Sequence, residues 1–267
     1  MIFDPELIRR IESSAARVTT ATVAGFVQLA ADDPAAARAF GEGALVAFGP
    51  GRAVNRAVGV SLDDPGDAGL DELESFYAAA GLPPSLEVAS WAPAALVERL
   101  GRRGYTVSWF RNVYAARLDG APVPAHPAMN VEEVTGETTP LWLTLLRAGF
   151  EALTPADAAR SDEMALAGHA VPGARAYIAD LDGEPVGCAS MTPEDGIAWL
   201  GGAVTVPSGR NRGVRGALVR HRMGVAQALG CELAVVTAMP AGESARNLAR
   251  LGFTLAYCQA VMTRMAT

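Results

Sequence analysis

The strongest local pattern of the 267-residue sequence is the segment 198–219, AWLGGAVTVPSGRNRGVRGALV. Its first part is apolar, ends in β-branched residues and stops at Pro207, which predicts a strand. Ser208-Gly209 indicates a turn, and from Gly213 onward apolar residues return at helical spacing. The segment therefore predicts a strand, a tight basic loop and the start of a helix.

The loop has the composition of an anion-binding site. A helix start presents unpaired backbone N–H groups and partial positive charge. Glycines let a bulky anion approach the backbone, and arginines add charge. The residues concerned are Gly209, Gly213, Gly216, Arg210, Arg212 and Arg215. They predict a phosphate or pyrophosphate site; the alternative is a solvated basic turn, because glycine-rich turns are common.

Composition narrows the function classes. Half of the residues are hydrophobic, which predicts a sizeable core, and the length suits two domains. No apolar run reaches the roughly 20 residues of a membrane span, and the N-terminus lacks the basic start of a signal peptide. Three scattered cysteines predict a reducing compartment, here the cytoplasm. The net charge of −7 argues against a nucleic-acid partner.

The sequence contains no lysine. This excludes a pyridoxal phosphate Schiff base and the GxxxxGK[ST] nucleotide loop, and there is no G-x-S-x-G elbow of a serine hydrolase. His126, His169 and His221 show no metal-ligand spacing with cysteines or acids, so no metal site is expected. His221, flanked by Arg220 and Arg222, is predicted to face solvent.

A proline-rich stretch divides the chain. Residues 121–128, APVPAHPA, suit neither a helix nor a central strand and predict a linker between domains at 1–120 and 129–267. The segment 96–107 echoes 244–255 in an Arg-x-Gly-aromatic-Thr-aliphatic pattern. This indicates an internal duplication.

Periodicity and turn residues predict the elements of both halves. The first half is predicted as a long helix from Pro5, strands at 44–48 and 56–62, a helix at 70–80, a strand at 86–89, a helix at 93–100 and a strand pair at 105–109 and 113–117. The second half is predicted as a strand at 130–134, helices at 140–151 and 156–168, a hairpin of 174–179 and 186–191 turning at Asp182-Gly183, a strand at 233–237, a helix at 244–251 and a strand pair at 253–257 and 260–265.

The second half resembles the GNAT superfamily of acyl-CoA-dependent N-acetyltransferases over about residues 131–265. RNRGVRGAL at 210–218 is similar to the family's [Q/R]-x-x-G-x-[G/A] loop, and SARNLARLGF at 244–253 is similar to its late helix ending in G-F. Two positions depart from the family pattern. Arg215 stands where Gly or Ala is usual, and Leu248 stands where many relatives have a tyrosine that protonates the departing thiolate.

The resemblance implies an α/β (α+β) fold with two GNAT-like domains. Each would be a mixed, mostly antiparallel twisted sheet flanked by helices. The first would be a degenerate copy without a CoA loop, because Asp63, Asp64 and Asp67 at the corresponding place would repel a pyrophosphate. It would cover the acceptor side of the cleft, with aromatic residues that either shape a pocket or form its own core. These are Tyr77, Trp91, Trp109 and Phe110.

The resemblance also implies acetyl-CoA as co-substrate. Loop amides would hold its pyrophosphate, the strand edge would pair with its pantetheine arm, and the late helix would contact the same arm. The implied positions are Arg210, Asn211, Arg212, Gly213, Val214, Arg215 and Gly216 in the loop, Ala203, Val204, Thr205 and Val206 in the strand, and Ser244 and Asn247 in the helix. The backbone N–H near Val206 would polarise the thioester carbonyl. The alternative for Ser244 is a plain helix N-cap.

The implied reaction is acetyl transfer by direct attack of a primary amine, carried by a small molecule or an amino terminus. The amine must lose a proton, and Glu151 and Tyr257 are candidates, with a surface or packing role as the alternative for each. The alternative function is a non-catalytic acyl-CoA-binding or regulatory protein, because Leu248 replaces the tyrosine. The expected partners are acetyl-CoA and an amine-bearing small molecule or peptide, and the expected state is a monomer or homodimer.

Overall fold

The computed structural model describes residues 3–30, 35–52, 54–120, 129–150, 154–240 and 242–265. The chain folds into two compact units. The first unit comprises Met1–Tyr114, Ala238–Gly242 and Leu255–Thr267, and the second comprises Ala115–Thr237 and Glu243–Thr254. The end of the chain thus belongs to the first unit, whereas the sequence interpretation puts all of 129–267 in one domain. The linker predicted at 121–128 lies outside the described residues.

Helices and strands alternate along the chain, and the predicted mixed α/β class is confirmed. The first part contains α1 (Pro5–Leu29), β1 (Ala36–Phe40), β2 (Gly43–Ala47), α2 (Gly66–Ala79), β3 (Ser85–Ala89), α3 (Ala94–Arg102) and β4 (Thr106–Arg117). β5 (Asn130–Glu133), α4 (Thr139–Phe150), α5 (Pro155–His169), β6 (Arg175–Leu181), β7 (Glu184–Glu194) and β8 (Ile197–Thr205) follow. The last elements are α6 (Val214–Ala228), β9 (Leu233–Ala238), α7 (Glu243–Arg250) and β10 (Thr254–Thr263).

The first unit is built on β3, β10 and β4, which lie side by side in that order, and on the antiparallel β1–β2 hairpin. α1 begins at Asp4, whose Oδ1 accepts the N–H of Leu7 at 2.9 Å, and Pro5 occupies its first turn. The hairpin, α2, β3, α3 and β10 supply the residues of a buried apolar cluster. Core members include Leu45, Leu73, Tyr77, Leu86, Leu96 and Met262.

Three strand predictions for this unit are wrong. The segment 56–62 makes only isolated bridges, because Gly59 adopts φ +69° and leaves the extended conformation. The two predicted strand pairs are the single strands β4 and β10. No glycine or proline lies at 110–112 or 258–259 to turn the chain, and Gln259 instead pairs with Ala89 of β3.

The second unit has the strand order β9-β8-β7-β6-β5. Its strands pair antiparallel except β8 and β9, which are parallel. The predicted hairpin is confirmed: Asp182 and Gly183 both have positive φ, as a tight turn between twisted strands requires. α4 and α6 pack on β7 and β8. No helix in the described ranges combines the length and apolar character needed to cross a bilayer.

Candidate functional site

The strands β8 and β9 diverge halfway along their length. Their parallel pairing covers Ile197 with Leu233, Ala198 with Ala234 and Trp199 with Val235. β8 then continues to residue 205 and β9 to residue 238 without a paired register between them. The divergence leaves one backbone edge of β8 open for a ligand to pair with.

A β-bulge shapes β8 at the point of divergence. Gly201 pairs with Ser190 of β7 and Val204 pairs with Cys188, so two residues of β8 lie opposite one residue of β7. Gly202, inside the bulge, has φ +55°, and a Cβ atom there would lie 2.8 Å from the Oγ of Ser190. The bulge therefore depends on glycine at this position.

A pocket of about 270 Å³ opens beside the bulge. Its walls come from β8, β9, α6 and α7 of the second unit. The lining residues are Leu200, Gly201, Gly202, Ala203, Arg215, Val219, Arg222, Val236, Thr237, Asn247, Leu248 and Leu251. Two arginines and no acidic residue are among them, so the pocket is electropositive.

The predicted anion-binding loop lies between β8 and α6. Asn211 and Gly213 adopt positive φ, +61° and +83°, and Gly213 is the N-cap of α6. The first backbone bond of the helix runs from the N–H of Ala217 to the carbonyl of Gly213 at 3.0 Å. The amides of residues 214–216 therefore have no partner four residues back, and no side chain in the described part of the chain caps them.

Close packing fixes the loop against β7. A Cβ atom on Gly209 would lie 2.8 Å from the Cβ of Val186 and 2.9 Å from its carbonyl oxygen. Arg210, Arg212 and Arg215 are exposed around the turn, and Arg212 reaches Asp182 at 3.4 Å. The loop thus combines open amides with exposed cationic side chains, which is the chemistry that binds phosphate oxygens.

The N–H group of Val206 is already engaged, which corrects the prediction that it polarises a carbonyl. It donates to the carbonyl oxygen of Val186 at 3.0 Å, and the Val206 side chain is buried. Successive residues of a strand direct their N–H groups to opposite edges. Because Val206 faces β7, the alternation turns the amide of Thr205 toward the open edge of β8, and the bulge that contains Ala203 and Gly202 follows two residues further back.

The late helix α7 brings a second wall to the pocket. Asn247 and Leu248 both line it, and Leu248 is buried. The helix ends at Gly252, which has φ +88° as a C-terminal glycine often does. Ser244 lies in the first turn of α7. Leu248, the residue at the family's tyrosine position, thus contacts the pocket without offering a proton.

Arg222 is a site residue that the sequence interpretation misses. It is 1% exposed, whereas the sequence interpretation names it only as a neighbour of His221. His221, which the sequence predicts to face solvent, is half-buried, with its ring 4.9 Å from that of Tyr177. Arg222 follows Val214 and Leu218 at intervals of four residues, and both of those are buried. This spacing on the apolar face of α6 is the signal that identifies it.

Backbone carbonyls hold the Arg222 guanidinium. Its Nε donates to the carbonyl oxygen of Leu218 at 3.0 Å, and its Nη1 donates to those of Ser190 at 2.7 Å and Gly201 at 3.1 Å. Burial lowers the pKa of Arg222 to about 10, with the nearby charge of Arg215 acting in the same direction. The side chain therefore remains a cation at neutral pH.

Of the two predicted candidates for the base, only Tyr257 can be placed, and it does not line this pocket. Glu151 lies outside the described residues. Tyr257 lies on β10 in the first unit, where it is buried and its hydroxyl donates to the carboxylate of Glu12. Burial, together with the charge of Glu12, raises the pKa of Tyr257 well above its ordinary value. In the described ranges no three His, Cys, Asp or Glu residues gather as metal ligands.

Comparison with known proteins gives a match of part of the chain to a family model and a shared fold. Residues 141–253 match the model of the acetyltransferase (GNAT) family. No protein of curated function matches the sequence significantly. A GCN5-related N-acetyltransferase from Kribbella flavida aligns at TM-score 0.65 and 20% identity, covering 95% of this chain and 96% of its own.

Two further structures share the architecture. A tandem GNAT protein from the clavulanic acid biosynthesis pathway aligns at TM-score 0.61 and 14% identity, over 98% of this chain and 95% of its own. A GCN5-related N-acetyltransferase from Sphaerobacter thermophilus aligns at TM-score 0.57 and 17% identity, over 75% and 67%. The chain therefore has the fold of GNAT proteins, including a tandem one, and its residues 141–253 match the GNAT acetyltransferase family.

Proposed function

We propose that the second unit binds acetyl-CoA and transfers its acetyl group to a primary amine of a small molecule or an amino terminus. The observation that carries the proposal is that β8, with its open edge, leads through the basic loop directly into α6 and its open amides. The family match over 141–253 supports acyl transfer from an acyl-CoA. The proposal goes further than this match in naming acetyl as the acyl group and an amine as the acceptor.

In this proposal the pyrophosphate of CoA binds at the start of α6. The unpartnered amides of residues 214–216 donate to its oxygens, and the exposed side chains of Arg210 and Arg212 add charge. Asn211 and Gly213 hold the loop in the left-handed conformations that expose those amides. Arg215, which also lines the pocket, stands between the pyrophosphate and the arm of the cofactor.

The pantetheine arm then follows β8 as an additional strand. Its amides pair with the open edge that the divergence from β9 leaves. Asn247 on α7 contacts the arm from the other wall of the pocket. We assign the N–H of Ala203, inside the bulge, to the thioester carbonyl, because the N–H of Val206 is bonded to Val186. This donor stabilises the negative charge that develops on the carbonyl oxygen.

The chemical step is a direct displacement. The amine nitrogen attacks the thioester carbon, a C–N bond forms, the C–S bond breaks, and CoA leaves as a thiolate. The amine proton passes to a base, for which Glu151 remains the candidate, directly or through water. Leu248 has no proton to give, so the thiolate takes its proton from solvent. Tyr257 has no part in this step because its hydroxyl is bonded to Glu12.

A second candidate function is non-catalytic binding of acyl-CoA. The observation that favours it is Leu248, a buried apolar residue at the pocket position where the resemblance places a proton donor. The two functions share the cofactor site and differ in turnover. Release of free thiol from acetyl-CoA across a broad panel of amines separates them, since a binding protein releases none.

Titration calorimetry with acetyl-CoA tests the shared cofactor site. Reversing the charge in Arg210→Glu places an anion beside the pyrophosphate and should weaken binding by about 100-fold. Arg160→Glu makes the same change on α5, where Arg160 pairs with Asp157, and should leave the affinity unchanged. Equal affinities for both variants would remove the loop from the site, and no binding by the unmodified protein would refute the proposal as a whole.

A further inference from the structure

The charge of Arg222 has no acidic partner in the part of the chain that the structure describes. The groups that act on its charge are Tyr177, Cys188 and Arg215, and none of them is a carboxylate. A guanidinium removed from water is costly unless an anion compensates it. Arg222 lines the pocket, so a ligand in that pocket is in a position to compensate it.

The hydrogen bonds of Arg222 leave part of the guanidinium available. Nε and Nη1 donate to the three backbone carbonyls, while Nη2 donates to none of the described residues. A guanidinium carries five N–H donors in a fixed plane. The three bonds hold that plane rigidly against the bulge, which keeps the remaining donors of Nη2 in one direction.

The position of Arg222 along β8 identifies which part of a ligand it meets. A chain that starts at the loop of residues 210–216 and runs back along the strand passes Thr205 first and Ala203 next. Gly201, whose carbonyl oxygen Arg222 binds, comes after both. Under the proposed function, Ala203 contacts the thioester carbonyl, so Arg222 lies beyond it, on the side of the acyl group.

We propose that the acyl group received by this pocket ends in a carboxylate, which Arg222 binds. The inference rests on the acyl-CoA site of the proposed function and differs from it in the acyl group, which is that of a dicarboxylic acyl-CoA in place of acetyl. A carboxylate gives the buried guanidinium a charge-assisted partner, and the pocket lining contains no acidic side chain that would repel it. The product would be an amide that carries a free carboxylate.

Calorimetry on the full-length protein with succinyl-CoA and butyryl-CoA tests the inference. The two acyl groups have the same number of carbons and differ in a terminal carboxylate against a methyl group. Succinyl-CoA should bind at least about tenfold more tightly, as a partly buried charge pair predicts. Equal affinities, or a preference for butyryl-CoA, would overturn the inference. This comparison uses the unmodified protein and does not depend on the folding of a variant.

Two variants assign the preference to Arg222. In Arg222→Gln the ratio of the two affinities should fall to about one, because the amide retains donors for the carbonyls but carries no charge. Arg215→Gln, the matched control, should weaken both ligands alike and keep the ratio, since it acts on the part they share. A preference that persists in Arg222→Gln refutes the role of Arg222. Failure of CoA itself to bind refutes the proposed function as well, which separates the two proposals.

Discussion

The two units bury charge in different ways. In the first unit, Glu87 is 1% exposed and bonds two arginines, with Arg56 Nε at 2.6 Å and the guanidinium of Arg111 on its other oxygen. In the second unit, Arg222 is equally buried and bonds backbone carbonyls. The first arrangement balances its charges internally. The second leaves a cation beside a pocket.

The loops of the two units show the same contrast. In the first unit the acidic residues before and in α2 are tied to arginines: Asp63 pairs with Arg9, and Asp64 pairs with Arg99. In the second unit the loop before α6 is basic and the first amides of α6 are open. Charge that is matched within the fold needs no ligand to balance it, whereas unmatched charge at an opening favours a ligand of opposite charge. That the first unit is a degenerate copy of the second stays a prediction.

The largest expected effect comes from breaking the balanced cluster. Glu87→Gln removes the buried carboxylate that both Arg56 and Arg111 bind, which should lower the free energy of unfolding by about 3–5 kcal/mol. Urea denaturation measures it. Glu42→Gln is the matched control, because Glu42 is half-exposed in its pair with Arg9. If both variants lose the same small amount of stability, the buried cluster around Glu87 does not stabilise the first unit as proposed.

A second prediction concerns Glu12, which belongs to the same cluster. Gln259 Nε2 donates to its Oε1 at 2.7 Å, and its Oε2 is buried without a hydrogen-bond partner among the described residues. Burial, together with the charge of Glu87, raises the pKa of Glu12 from 4.5 to about 7, while the hydrogen bond from Tyr257 opposes the shift. Between these pH values the folded state holds a proton that the unfolded state has released.

The stability contributed by Glu12 therefore falls as the pH rises from 4.5 to about 7 and stays low above that. Glu12→Gln removes the titrating group. The free energy of unfolding of this variant, relative to that of the unmodified protein, should therefore rise by on the order of 1–3 kcal/mol between about pH 5 and about pH 8. Urea curves of both proteins at the two pH values measure it. A difference that does not change with pH would show that Glu12 titrates normally.

The third prediction distinguishes a loss of ligand binding at the loop from a general loss of stability. Gly213 at the start of α6 and Gly230 after its end have nearly the same φ, +83° and +79°. Valine at either position should cost about 1–2 kcal/mol of stability because the left-handed conformation is strained. Only Gly213→Val should also weaken acetyl-CoA binding, by about tenfold or more. Equal calorimetric affinities of the two variants would contradict the pyrophosphate site.

Local chemistry explains which elements are predictable from the sequence. The loop at 210–216 and the Asp182-Gly183 hairpin follow from residues whose backbone preferences are independent of distant contacts. The burial of Arg222 could also be predicted from the sequence, because it is a basic residue on the apolar face that Val214 and Leu218 define. Its position in the series was a sufficient signal for burial, although not for its hydrogen bonds.

Pairing between distant segments explains the rest. β10 is one strand because Gln259 pairs with Ala89, and no local pattern reports a partner so far away in the sequence. The N–H of Val206 is occupied because the register between β7 and β8 puts it opposite Val186. The bulge at Gly202 sets which amides face the open edge, and its position depends on the same register.

The smallest expected effects lie at the surface, where the two units should behave alike. Arg9 in the first unit binds Asp63 at 2.8 Å, and Arg175 in the second binds Glu133 at 2.7 Å, with these side chains a third or more exposed. Water and salt screen such pairs, so Arg9→Gln and Arg175→Gln should each change the free energy of unfolding by less than about 1 kcal/mol. Urea curves at low and high salt measure it, and high salt should reduce the difference further. If either variant lost as much free energy of unfolding as Glu87→Gln, burial would not explain why the cluster around Glu87 stabilises the protein more than the surface pairs do.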